Sequence, residues 1–194
     1  NVRVSGNGIL YGGVWHKPDE NGGRLMASFY LGKHILVEGI SVVDNGVWNV
    51  VPGACRDVII RDVNIMSRLV TGDGIDIVGC EEVLVEDCFI RACDDCVCIK
   101  ACALPGPAAC CNVRDIKVRR CVLWNAEPGN ALEIGYELRC NEVSDVVFED
   151  CDIIHCEYEG NQSGGVLTIH NADRAKVHNV RYENIVLKMR RRSL

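Results

Sequence analysis

The sequence predicts an all-β fold, a single parallel β-helix domain of about seven coils over residues 1–194. Three observations predict it: an eight-residue apolar pattern recurs seven times, its copies lie one coil apart, and no helical period runs through it. The pattern is apolar, any, apolar, two mostly polar or glycine residues, apolar, any, apolar. Its copies are Val2-Val4-Asn7-Ile9, Ile35-Val37-Ile40-Val42, Val58-Ile60-Val63-Ile65, Val83-Val85-Cys88-Ile90, Ile116-Val118-Cys121-Leu123, Val146-Phe148-Cys151-Ile153 and Val180-Tyr182-Ile185-Leu187. They begin 33, 23, 25, 33, 30 and 34 residues apart, and only Asn7 breaks the apolar rule.

Each copy describes a strand, a bend and a second short strand, because alternation at period two is interrupted by one two-residue step. Asp62, Asp87 and Asp150 occupy that step, where short acidic side chains cap turns. A further alternating segment closes each coil: Val47-Trp48-Asn49-Val50, Gly74-Ile75-Asp76-Ile77, Val97-Cys98-Ile99-Lys100, Ala131-Leu132-Glu133-Ile134 and Val166-Leu167-Thr168-Ile169. Coils of such a solenoid stack about 4.8 Å apart, so residues one coil apart in sequence become neighbours in space.

Composition narrows the function. The 194 residues are 48% apolar without a run long enough to span a bilayer, and the net charge of −6 argues against a nucleic-acid surface. The one basic cluster, Arg190-Arg191-Arg192, reads as a solvated tail. The chain opens at Asn1 with no initiator Met and no leader, so we read it as processed, trimmed or partial, and expect coils beyond one or both ends. Localisation and oligomeric state stay open.

Of thirteen cysteines, Cys88, Cys121 and Cys151 share one slot in successive copies and should stack as buried free thiols. Cys93-x-x-Cys96 has zinc-ligand spacing, but no second such pair follows. Alternation places Cys96 and Cys98 on one face of a strand, so no metal or cofactor is implied.

Chemistry concentrates on one ledge. Asp73 precedes the pair Asp94-Asp95 by 21 residues, close to one short coil, and Asp76, Lys100, Asn130, Glu133 and His170 fall on or beside the same face. Crowded carboxylates cannot all ionise cheaply, so at least one should keep its proton near neutral pH. An acid beside a base is what glycoside hydrolysis needs.

At these residues the sequence resembles a known group. Thr71-Gly72-Asp73-Gly74-Ile75-Asp76 and Asp94-Asp95-Cys96-Val97-Cys98-Ile99-Lys100 look like the Asn-Thr-Asp-Gly-Ile-Asp and Asp-Asp-Cys-Ile-Ala-Ile-Lys motifs of glycoside hydrolase family 28, the polygalacturonases. The resemblance implies a right-handed parallel β-helix that hydrolyses a polysaccharide or oligosaccharide with inversion. It makes Asp73, Asp94 and Asp95 catalytic, with Asp94 the general acid and the other two acting on water.

Departures shape the expected substrate. The family's Gly-His-Gly motif is met by Gly129-Asn130-Ala131, and its Arg-Ile-Lys motif by Thr168-Ile169-His170. Trp124, Leu132-Glu133-Ile134-Gly135 and Ile153-Ile154-His155 look closer to family 49, the dextranases, in the same clan. A neutral glycan is therefore favoured, with Lys100, Asn130, Glu133, His155 and His170 touching substrate and Trp48 stacking on a sugar ring. Trp15 and Trp124 read equally as sugar platforms or as coil-edge packing. The alternatives are a pectin hydrolase and a glycan-binding β-helix without catalysis. The insertion from Ala101 to Asn112 is expected to wall the groove beside Asp94 and Asp95.

Overall fold

The computed structural model describes residues 1–13, 26–45, 47–104, 108–126, 128–156 and 165–188; Trp15 and the terminal arginine run lie outside them. The first coil carries β1 (Val2–Ser5), β2 (Ile9–Tyr11) and β3 (Ala27–Tyr30), and the second β4 (Lys33–Glu38), β5 (Ser41–Val43) and β6 (Val50–Gly53). The third has β7 (Arg56–Arg61), β8 (Asn64–Met66) and β9 (Ile75–Val78). The fourth has β10 (Glu81–Glu86), β11 (Phe89–Cys93) and β12 (Val97–Ala103), followed by β13 (Ala108–Ala109). β14 (Val113–Arg119), β15 (Val122–Ala126) and β16 (Leu132–Leu138) form the fifth, and β17 (Glu142–Glu149), β18 (Asp152–Cys156) and β19 (Leu167–Ile169) the sixth. β20 (Lys176–Glu183) and β21 (Val186–Leu187) open the seventh.

Each coil visits three sheets in turn. The first sheet runs β1-β4-β7-β10-β14-β17-β20, the second β2-β5-β8-β11-β15-β18-β21, and the third β3-β6-β9-β12-β16-β19. Neighbours along these paths pair in parallel, and the coil takes the right hand expected of parallel crossovers. β13 alone turns back, antiparallel to β12. Among the described residues no helix is long and apolar enough to cross a membrane.

The repeated pattern maps onto the first two sheets, one copy per coil. Its two-residue step ends with Gly6, Gly39, Asp62, Asp87, Arg120, Asp150 and Asn184, all at positive φ. Glycine meets no Cβ penalty there, and Asp and Asn tolerate the left-handed region better than most residues. Asp62, Asp87 and Asp150 are turn residues, as the sequence suggests.

Inward positions stack in columns along the axis. Val37, Ile60, Val85, Val118, Phe148 and Tyr182 form one, and Val42, Ile65, Ile90, Leu123 and Ile153 another. Cys88, Cys121 and Cys151 are buried in this core, and all thirteen cysteines are free.

Three expectations need correction. The closing segment of the second coil is β6 (Val50–Gly53), and Trp48 and Asn49 belong to the preceding turn. The first coil also has a closing strand, β3, which the sequence did not reveal because its apolar alternation is weak. Cys96 and Cys98 do not share a face: Cys96 packs into the core, whereas Cys98 pairs in register with Asp76 and Glu133. The turn ends only at Cys96, so strand alternation starts one residue later.

Phe148 is fully buried and stacks on Tyr182 with ring centroids 5.0 Å apart. Phe148→Ala is expected to cost about 3–5 kcal/mol in chemical denaturation. Arg61→Ala, which breaks a half-buried surface ion pair with Glu38, should cost about 1 kcal/mol in the same assay.

Candidate active site

Backbone hydrogen bonds between coils set the site. In the turns that lead from the second sheet to the third, Asn49 N–H donates to Asp73 O, Gly74 N–H to Asp95 O and Cys96 N–H to Asn130 O, at 2.8–3.0 Å. Asp73, Asp95 and Asn130 therefore stand in one column, one coil apart. On the following strands Asp76, Cys98, Glu133 and Thr168 form a second column.

The turns are drawn close together by glycine. A Cβ on Gly74 would lie 2.3 Å from the Cys96 carbonyl oxygen. Gly129, at φ +102°, passes so near that its Cβ would lie 2.3 Å from the Asp94 carbonyl carbon. Two asparagines that the sequence did not single out fix the acidic turns: Asn49 Nδ2 donates to Asp73 O (2.7 Å), and Asn125 Nδ2 to Asp94 O (2.6 Å). Neither sits in an acidic motif, so only the three-dimensional register exposes their role.

Asp73, Asp94 and Asp95 converge, each presenting an oxygen within 4.8 Å of the other two. Asp95 Oδ1 accepts from the backbone N–H and the side chain of Asn130, at 2.8 and 2.9 Å. Asn130 is itself fixed by Gly165 N–H (2.7 Å) and Thr168 Oγ1 (3.0 Å) donating to its Oδ1. Asp73 Oδ1 has no hydrogen-bond partner among the described residues.

Lys100 lies buried beneath this cluster. Its Nζ is 3.3 Å from Asp73 Oδ2, 3.4 Å from Asp76 Oδ1 and 4.3 Å from the centroid of the Trp48 ring. Glu133 Oε1 bonds His170 Nδ1 at 3.0 Å, while Glu133 Oε2 has no hydrogen-bond partner among the described residues. His155 is placed elsewhere, on β18 of the second sheet, edge-on to Trp124 at 5.5 Å. The 101–112 insertion begins in the last three residues of β12, whereas Asp94 and Asp95 precede that strand. Of its described residues, Cys102, Leu104 and Ala109 pack with Val51 and Val78.

Burial and neighbouring charge weaken Asp73, Asp76, Asp94 and Glu133 as acids. Burial pushes the Asp94 carboxyl up to about 8, with the charges of Asp73 and Asp95 adding and Lys100 opposing. Burial also raises Asp76 and Glu133 to about 7 each. Asp73 is driven well above the carboxylate range, first by burial and then by Asp76, against the pull of Lys100. Burial alone would favour a neutral Lys100 amine, but the Cys98 sulfur and the carboxylates of Asp76, Asp73 and Asp95 outweigh it and raise its pKa.

Fold and site together define a parallel β-helix with a crowded acidic ledge, of the kind that can hold an acid and a base side by side. The sequence profile of Glycosyl hydrolases family 28 matches residues 19–192, and the chain belongs to that family. A curated relative is the "Probable polygalacturonase" of Vitis vinifera, 29% identical over 97 residues, which cover 46% of this chain and 20% of the relative. Among solved structures, a hyperthermoactive exopolygalacturonase from Thermotoga maritima shares the fold with a TM-score of 0.56 and 22% identity. That match covers 86% of this chain and 40% of the Thermotoga chain. The chain thus spans well under half the length of both.

The raised Asp94 carboxyl has a cost in stability. Its folded value of about 8 exceeds the ordinary 3.8, so its contribution is fully present below about pH 3.8 and is lost as pH rises to about 8. Asp94→Asn removes that loss. It is expected to raise stability at pH 8 by at least about 1.4 kcal/mol, the worth of one pKa unit, and by much less at pH 4, as read by thermal or urea unfolding at the two pH values.

Proposed function

We propose that this protein is an inverting glycoside hydrolase that uses Asp73, Asp94 and Asp95. The observation that carries the reading is the convergence of these three carboxyl groups, with Asp94 held protonated at neutral pH. Asp94 gives its proton to the glycosidic oxygen, and the bond from that oxygen to the anomeric carbon breaks. A water held by Asp73 and Asp95 attacks the carbon and passes its proton to Asp95, so water adds across the bond. Asp73 suits the positioning role, since its Oδ1 has no protein hydrogen-bond partner among the described residues and a water would supply one.

Spacing favours a second route. Oxygens within 4.8 Å lie closer than the roughly 6.5–9.5 Å usual for an inverting pair and nearer the roughly 5–5.5 Å of a retaining pair. We prefer inversion because three acids meet here, so two can grip one water while the third acts as acid.

At the point of cleavage we favour a neutral sugar. Lys100 is the cation on the described ledge, and it is committed to Asp73 and Asp76 under the Trp48 ring. Its charge offsets the acids, and Glu133 Oε2 has no hydrogen-bond partner among the described residues, which suits a sugar hydroxyl better than a carboxylate. The polygalacturonases among the similar proteins support the alternative, a uronate at the same place.

Asp94→Asn is expected to lower kcat by about 10²–10⁴-fold on whichever of dextran, pullulan or polygalacturonate the native protein cuts, measured by reducing-end release. Native activity should decline as pH passes about 8, where Asp94 loses its proton. Proton NMR of the fresh product should show the inverted anomer. Retention would replace this mechanism with a covalent one, and cleavage of polygalacturonate alone would overturn the neutral-sugar assignment.

A further inference from the structure

We propose that Cys55 and Cys80 form a peroxide-sensitive dithiol, in which oxidation joins the two sulfurs and closes the third coil into a covalent ring. The inference stands independently of the hydrolase reading. Cys55 lies between β6 and β7 and Cys80 between β9 and β10, at the corner that leads from the third sheet back to the first.

Register brings the pair together. Arg56 pairs with Glu81, and Glu81 N–H donates to Cys55 O at 3.0 Å. The residues just before them, Cys55 and Cys80, therefore stand opposite one another on adjacent coils. Neighbouring strands lie about 4.8 Å apart, and disulfides span Cα separations of roughly 4.4–6.8 Å. Both side chains enter the same core, Cys55 N–H donates to Cys80 Sγ at 3.3 Å, and the two thiols hydrogen-bond each other.

The two sulfurs differ in chemistry. The hydrogen bond with Cys80 brings the Cys55 thiol down to about 6 against the effect of burial, whereas burial drives Cys80 well above the ordinary thiol range. Cys55 is also the one with surface left to solvent, 3% against none for Cys80. The thiolate is the nucleophile, so Cys55 attacks and Cys80 resolves. The stacked thiols at Cys121 and Cys151 lack this activation. Hydrogen bonding to Cys121 and then burial raise Cys151, while Cys121 is raised by Cys88 and burial in spite of its bond to Cys151.

The reaction balances with one peroxide. Cys55 sulfur bonds to a peroxide oxygen, the O–O bond breaks, and the departing hydroxide recovers the proton Cys55 had released, giving water and a sulfenic acid. Cys80 sulfur then bonds to Cys55 sulfur, and the sulfenic hydroxyl leaves with the Cys80 proton as a second water. Peroxide takes two electrons from the two thiols. The ring so closed contains β7, β8 and β9, and with them Asp73 and Asp76. A cross-link of this kind restricts the unfolded chain, so the oxidised protein is the more stable form.

The test is peroxide treatment of the full chain, then thiol labelling in denaturant and peptide mass spectrometry. Tryptic peptides 34–56 and 69–91 are expected to be joined, with a loss of two hydrogens that dithiothreitol restores. The second peptide also carries Cys88, so the link should persist in Cys88→Ser and vanish in Cys80→Ser, which leaves Cys55 as a trappable sulfenic acid. Cys55 should lose label at least about tenfold faster than Cys121 or Cys151. The urea midpoint should rise on oxidation and fall back on reduction, with no such rise in Cys80→Ser. Absence of the link, a link through Cys88, or equal loss of label at Cys55 and Cys121 would overturn the proposal. Comparing the oxidised with the reduced native chain needs no variant, so misfolding of a variant cannot imitate the result.

Discussion

The register of the parallel hydrogen bonds between coils is the constraint on which everything else rests. Asp73 comes from the third coil, Asp94 and Asp95 from the fourth, and Asn130 from the fifth. Contacts between coils tie them together: Asn49 of the second coil to Asp73, Asn125 of the fifth to Asp94, and Asn130 to Asp95. The stacking distance of about 4.8 Å brings carboxylates into mutual range, and the columns of Ile, Val and Leu beneath fix the register, since a one-residue slip would turn every side chain to the wrong face. The apolar interior is therefore the positioning device for the acids.

Bringing acids so close is unfavourable, and the surroundings show how the cluster is tolerated. Lys100 supplies one positive charge between Asp73 and Asp76, and Trp48 covers it from water. Hydrogen bonds from Asn49 and Asn125 secure the turn backbones instead of the carboxylates, leaving the acids of Asp73 and Asp94 poorly stabilised as anions. Protonation relieves the remaining strain. This is the familiar trade in which a reactive arrangement lowers the stability of the fold that carries it.

The sequence made the first two sheets legible because the eight-residue pattern keeps one length and one phase in every coil. Asp73 and the Asp94-Asp95 pair were legible too, since a one-coil spacing can be counted. The third sheet was harder to read. Its strands follow turns of variable length, so Val47-Trp48-Asn49-Val50 was placed two residues out of register and Cys96 was assigned to the wrong face. Positions defined by contact across coils, such as Asn49, Asn125 and the burial of Lys100, leave no trace in local composition. His155 was read as a substrate contact from its motif, and its strand lies in the second sheet, whereas the ledge is built on the third.

The left-handed corner between the first and second sheets has a consequence for how such a protein can change. Coils begin from 23 to 34 residues apart, yet the segment spanning this corner is eight residues long every time. All variation in coil length thus falls outside this segment, in the third-sheet strands and the remaining turns, including those that border the ledge. One edge of the solenoid acts as a fixed spine while the opposite side is free to gain or lose residues. New specificities can accumulate there by insertion, coil by coil, with the stacking of the scaffold undisturbed.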